Sequence, residues 1–133
     1  MSAARPPVSV PAGIQVGPLG FVLRDGNEGR SVWEYRVDPA HFNPNGTLHG
    51  GVMMALLDTA MGFAVVARVA AEGRINAAAE QSTRFLAPVR GGLVTAEATV
   101  LKIGKRLAIV EARATDESGN LVAVASATHT LLP

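Results

Sequence analysis

The chain reads as an α+β domain, an antiparallel sheet wrapped around one long helix, and three observations predict it. Residues 50–70 carry a helical apolar period with almost no polar face. After Gly73 the period drops to two and holds as far as Thr130. The strands so marked are joined by connections of a few residues, which imply antiparallel neighbours. At 133 residues the chain fits one domain, 1–133, able to bury a single core.

The elements follow in order. Residues 1–20 open on Pro6, Pro7 and Pro11 and read as a loosely ordered lead-in without the continuous apolar core of a secretory signal. Proline and glycine punctuate the first 29 residues, and Arg24 to Gly29 (RDGNEG) reads as a turn. Arg30 to Asp38 alternates as a strand, with Trp33, Tyr35 and Val37 on one face and Val32, Glu34 and Arg36 on the other. Pro39, Pro44 and Gly46 make residues 39–49 a loop. In the helix from Gly50 to Ala70, Leu56, Ala60, Phe63 and Ala67 mark a broad apolar face. A second stripe, Gly51, Ala55, Asp58 and Gly62, is small except for the acid, so a backbone or a flat ligand can come close to Asp58. Strands then cover Ile75 to Pro88, Leu93 to Ile103, Leu107 to Thr115 and Leu121 to Thr130. They turn at Gly91-Gly92, at Gly104-Lys105-Arg106 and at Asp116 to Asn120. One five-stranded sheet cannot hide a helix that is apolar on nearly every side, so apolar surface is expected to be buried between subunits.

Composition narrows the function. Apolar residues make up 48% of the chain and charged ones 17%, which argues against disorder. The formal net charge of +1 gives no electrostatic case for nucleic acid or an anionic membrane. The absence of cysteine removes thiolate chemistry, disulfides and zinc–thiolate sites, and suits a cytoplasmic protein. Leu48 to Ala71 is long enough for a membrane span, but His49, Asp58 and Arg68 within it argue against one.

The polar chemistry is concentrated between His41 and Gly62, HFNPNGTLHGGVMMALLDTAMG. Asp58 is the one acid of an otherwise apolar helix, and such a carboxylate is costly unless paired or employed. Gly50 and Gly51 open that helix, where unobstructed N–H groups and the helix dipole hold negative charge; they equally permit a tight loop-to-helix junction. An acid with an amide-lined helix start suits attack on a carbonyl. Eight residues, about 12 Å along a helix, separate Gly50 from Asp58, too far for one chain to grip a single carbonyl with both. The pairing works between two chains, so a symmetric dimer is expected to be part of the mechanism. Asp58 then serves as nucleophile or as base for water, or else as an Asp hydrogen-bonded across a helix interface. Asn43 and His49 are candidates to hold water or substrate, and each also suits a local cap of loop backbone. His41, His49 and Asp58 match no metal-binding spacing, so neither metal nor redox cofactor is expected. Arg84, Arg90, Lys102, Lys105 and Arg106 fall near strand ends, a rim suited to phosphates or simply to solubility.

The string N-P-x-G-T-L-H-G-G from Asn43, followed by L-x-D-T-A-x-G from Leu56, resembles the hotdog-fold thioesterases of the phenylacetate-pathway (PaaI-type) branch. Phe85-Leu86-Ala87-Pro88 and Gly104-Lys105-Arg106 are similar to later landmarks of that family. The resemblance implies a five- to six-stranded sheet around the helix, and a homodimer that completes the active site and assembles further into a tetramer. It makes the Gly50 amide the group that polarises a thioester carbonyl, and Asp58 of the opposing subunit the nucleophile or base. Asn43 would place the water or the thioester, and His49 would support the carbonyl or the leaving sulfur. Substrate contacts are implied for Gly51, Met54, Thr59, Ser82, Thr83, Arg84, Arg90, Lys105 and Arg106, with coenzyme A present only as part of the substrate. Relatives often carry a Ser or Thr on the strand facing the acid. Here Ala77, Ala78 and Ala79 stand there, and the nearest hydroxyls are Ser82 and Thr83.

The function expected is therefore hydrolysis of an acyl-CoA thioester, with an aryl, phenylacetyl-type or medium-chain acyl group against liners such as Met54, Ala55, Leu57, Met61 and Phe63. A non-catalytic acyl-CoA-binding module and an enoyl-CoA hydratase or dehydratase on the same fold are the alternatives. The hydratases place Asp and His closer together, a spacing this chain lacks.

Overall fold

A computed structural model describes residues 15, 16 and 18–133; most of the lead-in expected over 1–20 lies outside them. The elements run β1 (Gln15–Val16), β2 (Phe21–Asn27), β3 (Arg30–Arg36), α1 (Gly50–Val69), β4 (Ile75–Phe85), β5 (Leu93–Ile103), β6 (Leu107–Thr115) and β7 (Leu121–Leu132). All neighbours pair antiparallel in the order β1-β2-β3-β5-β6-β7-β4, so six full strands and the two-residue β1 form one sheet. Between β3 and β4 the chain passes over β5, β6 and β7 to the far edge, and α1 lies in that crossing. This is the hotdog fold.

The start of the chain departs from its sequence reading. Arg24 to Gly29 is not one turn: β2 runs through Asn27 and only Glu28-Gly29 turns, both at positive φ (46° and 87°). Two such residues match the twist of a tight hairpin. The polar run Arg24 to Asn27 pairs by backbone on an exposed part of the sheet, and therefore shows no alternation. Arg24 meets Glu34 at 2.9 Å, and Arg30 bridges Asp25 and Glu97.

The core lies between α1 and the concave face of the sheet. Leu56, Leu57, Ala60, Met61, Ala64, Val65 and Val69 pack on inward residues that are mostly alanine or valine, among them Ala96, Ala98, Ala108, Val110, Ala112 and Ala127. Small strand residues let the helix seat closely, and close packing recovers the dispersion that a void would lose. Trp33 and Tyr35 are large exceptions, Trp33 buried edge-on against Phe63 at 4.9 Å. Buried Ser31 donates to the Ala60 carbonyl and ties β3 to the helix. By length and composition α1 could cross a membrane, but Met53, Leu56, Leu57, Ala60, Met61, Ala64, Val65 and Val69 are buried within this fold.

The β4 strand ends the sheet, with one edge unpaired among the described residues. Its register against β7 slips between Ala78 and Glu80, leaving Ala79 as a bulge. The extra residue changes phase. Asn76 and Ala78 pair with Leu131 and His129, Gln81 and Thr83 with Ala127 and Ala125, and all four lie on the helix side. Glu80, Ser82 and Arg84 lie on the outer face.

Candidate active site

The loop before the helix is braced from below. The Tyr35 hydroxyl is hydrogen-bonded to His41 Nδ1 at 2.6 Å and accepts from the Asp38 amide at 3.1 Å. Burial, the largest influence, raises the Tyr35 pKa. His41 is thus a structural brace, its carbonyl accepting from the His49 amide at 2.9 Å. Asn43 organises the loop tip: its Oδ1 accepts from the amides of Asn45 and Thr47, and its Nδ2 donates to the Thr47 hydroxyl at 2.8 Å. One amide hydrogen of Asn43 is left over.

At the helix start the first-turn amides are shared out unevenly. His49 is the cap: its Nδ1 accepts from the Gly51 amide at 2.8 Å, and its carbonyl from those of Val52 and Met53. The Gly50 amide alone among these has no acceptor among the described residues. Gly50 lines a depression of about 330 Å³ with Asn43, Thr47, Met53, Phe85 and Val89. A β-carbon on Gly50 would stand 3.2 Å from the Phe85 ring, so any larger residue there crowds the side chain that overhangs the amide.

Asp58 is exposed and lines a different depression, about 340 Å³, with Thr59, Gly62, Phe63, Val66, Asn76, Ala78 and His129. The two depressions share no residue, in keeping with the axial separation of Gly50 and Asp58. Ala78 stands on the strand position facing the acid, so no strand hydroxyl serves Asp58 there. Thr83 is on the helix side but accepts from Gln81 Nε2 at 3.1 Å, and Ser82 is on the opposite face of the sheet. The Thr59 hydroxyl donates back to the Ala55 carbonyl.

The other candidate contacts scatter. Arg84 joins Ser82, Glu111 and Arg113 on the outer face, away from both depressions. Arg90 is exposed beside Val89, whose carbonyl accepts from Leu48 at the mouth of the Gly50 depression. Lys105 and Arg106 sit in the β5–β6 turn at the far end of the helix, where Arg74 donates to the carbonyls of Gly104 and Lys105. Gly51 and Met54 are exposed on α1, and the Met54 carbonyl accepts from Gln81. Leu57 and Met61 are core residues and line neither depression. Met53, by contrast, does line one. Among the described residues no three His, Asp or Glu side chains converge as metal ligands.

The sequence reading passed over His129 and Asn76. His129 is 2% exposed, and Asn76 Nδ2 lies 3.0 Å from its Nδ1. Burial lowers the His129 pKa below 6.5, while the charge of Asp58 works against that shift. The signal was available in the phase of Leu121 to Leu132, which puts residue 129 on the inward face.

Residues 45–123 match the family model described as the thioesterase superfamily. The chain belongs to that superfamily. Within it, the chain is 39% identical over 110 residues to a protein of Saccharolobus solfataricus, covering 83% of this chain and 72% of that one. It is 29% identical over 110 residues to the 1,4-dihydroxy-2-naphthoyl-CoA hydrolase of Listeria monocytogenes, covering 83% and 89%. Among solved structures it superposes with a TM-score of 0.80 on a Haemophilus influenzae thioesterase, at 29% identity over 86% of this chain and 79% of that one. The PaaI protein of the Escherichia coli phenylacetic acid degradation operon also gives 0.80, at 25% identity over 86% and 81%. This thioesterase-superfamily chain is thus a hydrolase of the acyl-CoA thioester type, of PaaI-like architecture.

Proposed function

We propose that the protein hydrolyses an acyl-CoA thioester of aryl, phenylacetyl-type or medium-chain acyl groups, at a site assembled from the Gly50 amide of one protomer and Asp58 of a second. The observation that carries this reading is the Gly50 amide, the one donor of the helix start left unclaimed among the described residues, opening on a cavity beside the spare Asn43 hydrogen. A donor fixed before the reaction begins stabilises the oxyanion as it forms, worth about 3 kcal/mol where one such group has been removed. The carbonyl carbon is attacked by the Asp58 carboxylate or by water that Asp58 deprotonates; coenzyme A leaves as the thiol and water supplies the acid's hydroxyl.

The open edge of β4 supplies the means of bringing the two halves together. Gln81 bonds the Met54 carbonyl and Asn76 the Gly62 carbonyl, so Asp58 lies level with the middle of β4. Two β4 edges paired antiparallel about a two-fold past that middle carry the partner's Asp58 toward the Gly50 end, within about one or two helical turns along the axis. The same pairing brings the partner's Lys105 and Arg106 toward that end, where Arg90 already stands, as a cationic rim for the phosphates of coenzyme A. Pairs of such dimers then form the tetramer.

The test is free-thiol release from benzoyl-, phenylacetyl-, hydroxyphenylacetyl- and C4 to C16 acyl-CoAs, with Asp58→Asn alongside. Turnover that disappears in D58N supports the reading; thiol release unaffected by D58N, or absent from every substrate, overturns it. Mixing decides the shared site. Equal amounts of D58N and an inactive Gly50 variant, unfolded and refolded together, should recover about a quarter of wild-type turnover, since half the dimers then hold one intact site. No recovery from two folded, dimeric variants would place both groups in one chain.

A further inference from the structure

We propose that His129, held by Asn76 as the neutral tautomer with its proton on Nε2, is a positioning residue for Asp58, its Nε2–H orienting the carboxylate once a second protomer seals the depression. The inference rests on the hydrolase reading above and adds to it a residue of β7. Asn76 Nδ2 donates to the Gly62 carbonyl at 3.3 Å as well as facing His129 Nδ1 at 3.0 Å. A carbonyl only accepts, so the amide nitrogen is on that side and Nδ1 must be the acceptor. The ring therefore carries its proton on Nε2. That atom is buried with no hydrogen-bond partner among the described residues. A buried donor left unpaired costs roughly 1–3 kcal/mol and is uncommon without a use.

Asp58 lines the same depression as His129, and its charge acts on the ring. Asp58 and Gly62 are one helical turn apart on the same face, and a β-carbon on Gly62 would lie 3.9 Å from His129 Cε1. Gly62, without a side chain, lies against the imidazole and lines one depression with it and the acid. The groups around the ring are otherwise uncharged: Ala108 on β6, Ala78 and Asn76 on β4, and Gly62 on α1. The Thr59 hydroxyl is engaged with the Ala55 carbonyl. With alanine at 78 in place of a hydroxyl, the Nε2–H is a buried, unpartnered donor on a residue that lines the depression with Asp58.

Protonation would undo the arrangement. A proton on Nδ1 faces the Asn76 amide hydrogens, so the amide must turn over and give up the Gly62 carbonyl. The acid limb of kcat/KM should therefore shift upward in Asn76→Asp, whose carboxylate welcomes a proton on Nδ1.

The experiment uses the intact assembled protein. Two-bond 1H–15N spectra of the histidine rings should show His129 as the Nε2–H tautomer at neutral pH. The side-chain 13C resonance of Asp58 should move in His129→Asn and stay near wild type in His129→Gln, because Gln keeps a donor near the Nε2 position and Asn does not. Kinetically, H129N should lose roughly 10- to 100-fold in kcat with KM little changed, and H129Q should restore most of it. An Nδ1–H tautomer or an imidazolium at neutral pH overturns the proposal, as does an H129N that keeps wild-type kcat or an H129Q no better than H129N. A wild-type protein inert on every thioester overturns the hydrolase reading, and the two resonances then decide the His129–Asp58 relation by themselves.

Discussion

Gly62→Ala offers a sharp test of why the helix carries a small stripe beside its acid. A glycine inside a 20-residue helix costs about 1 kcal/mol relative to alanine, through backbone entropy. The new methyl would meet only His129 Cε1 within 4 Å, at 3.9 Å, an ordinary contact that asks nothing to move. The expected change is thus stabilisation by about 1 kcal/mol, or some 3–5 °C in Tm for a domain of this size. The same methyl narrows the depression next to Asp58, so turnover should fall, most for the bulkiest acyl groups. Urea unfolding at a fixed protomer concentration measures the first effect, since the stability of an assembled protein depends on that concentration. Thiol release over the acyl panel measures the second. A destabilised G62A would mean that a second chain packs on Gly62, and a stabilised G62A with an unchanged acyl profile would show that the stripe is not a substrate channel.

Other consequences follow from the packing and the charges. Trp33→Ala empties the largest site under the helix and should cost about 3–5 kcal/mol, seen as a fall in the urea midpoint. Ser31→Ala removes the buried tie to the Ala60 carbonyl and should cost about 1 kcal/mol in the same assay. Because burial holds His129 below its ordinary 6.5, the unfolded chain takes up that proton first. Stability should then be flat above pH 6.5 on this account, decline as pH falls below it, and level off below the folded value; H129Q should lose that decline in unfolding midpoints measured against pH. On the outer face of β4, Glu80 and Arg84 flank Ser82, so an antiparallel seam centred on Ser82 pairs each Glu80 with the partner's Arg84. Glu80→Arg or Arg84→Glu alone should weaken the dimer in sedimentation, and the double exchange should restore it.

Much of this was legible in the sequence, for identifiable reasons. The helix and β5 to β7 announce themselves because one face of each is buried, which imposes a period. β2 was missed because Arg24 to Asn27 lies at the open part of the sheet, where backbone pairing imposes no pattern on side chains. Asp58 and Gly50 stood out by type and place, and the distance between them is what leads to the proposal of a second chain. Ser82 and Arg84 were assigned by sequence proximity, and the Ala79 bulge, invisible in a run of three alanines, decides which face each takes. His129 was lost in an apparently regular strand, since nothing local reveals that Asn76, 53 residues away, will meet it.

The unpaired edge of β4 also bears on how the protein behaves when scarce. Among the described residues β4 offers eleven residues with one side unpaired, and on the proposed pairing each chain holds only half of each site. Catalysis is then a second-order property of the chain: specific activity should fall on dilution, and a cell holding few copies would have disproportionately little enzyme. Abundance itself becomes a control on rate, exercised with no effector and no dedicated regulatory site.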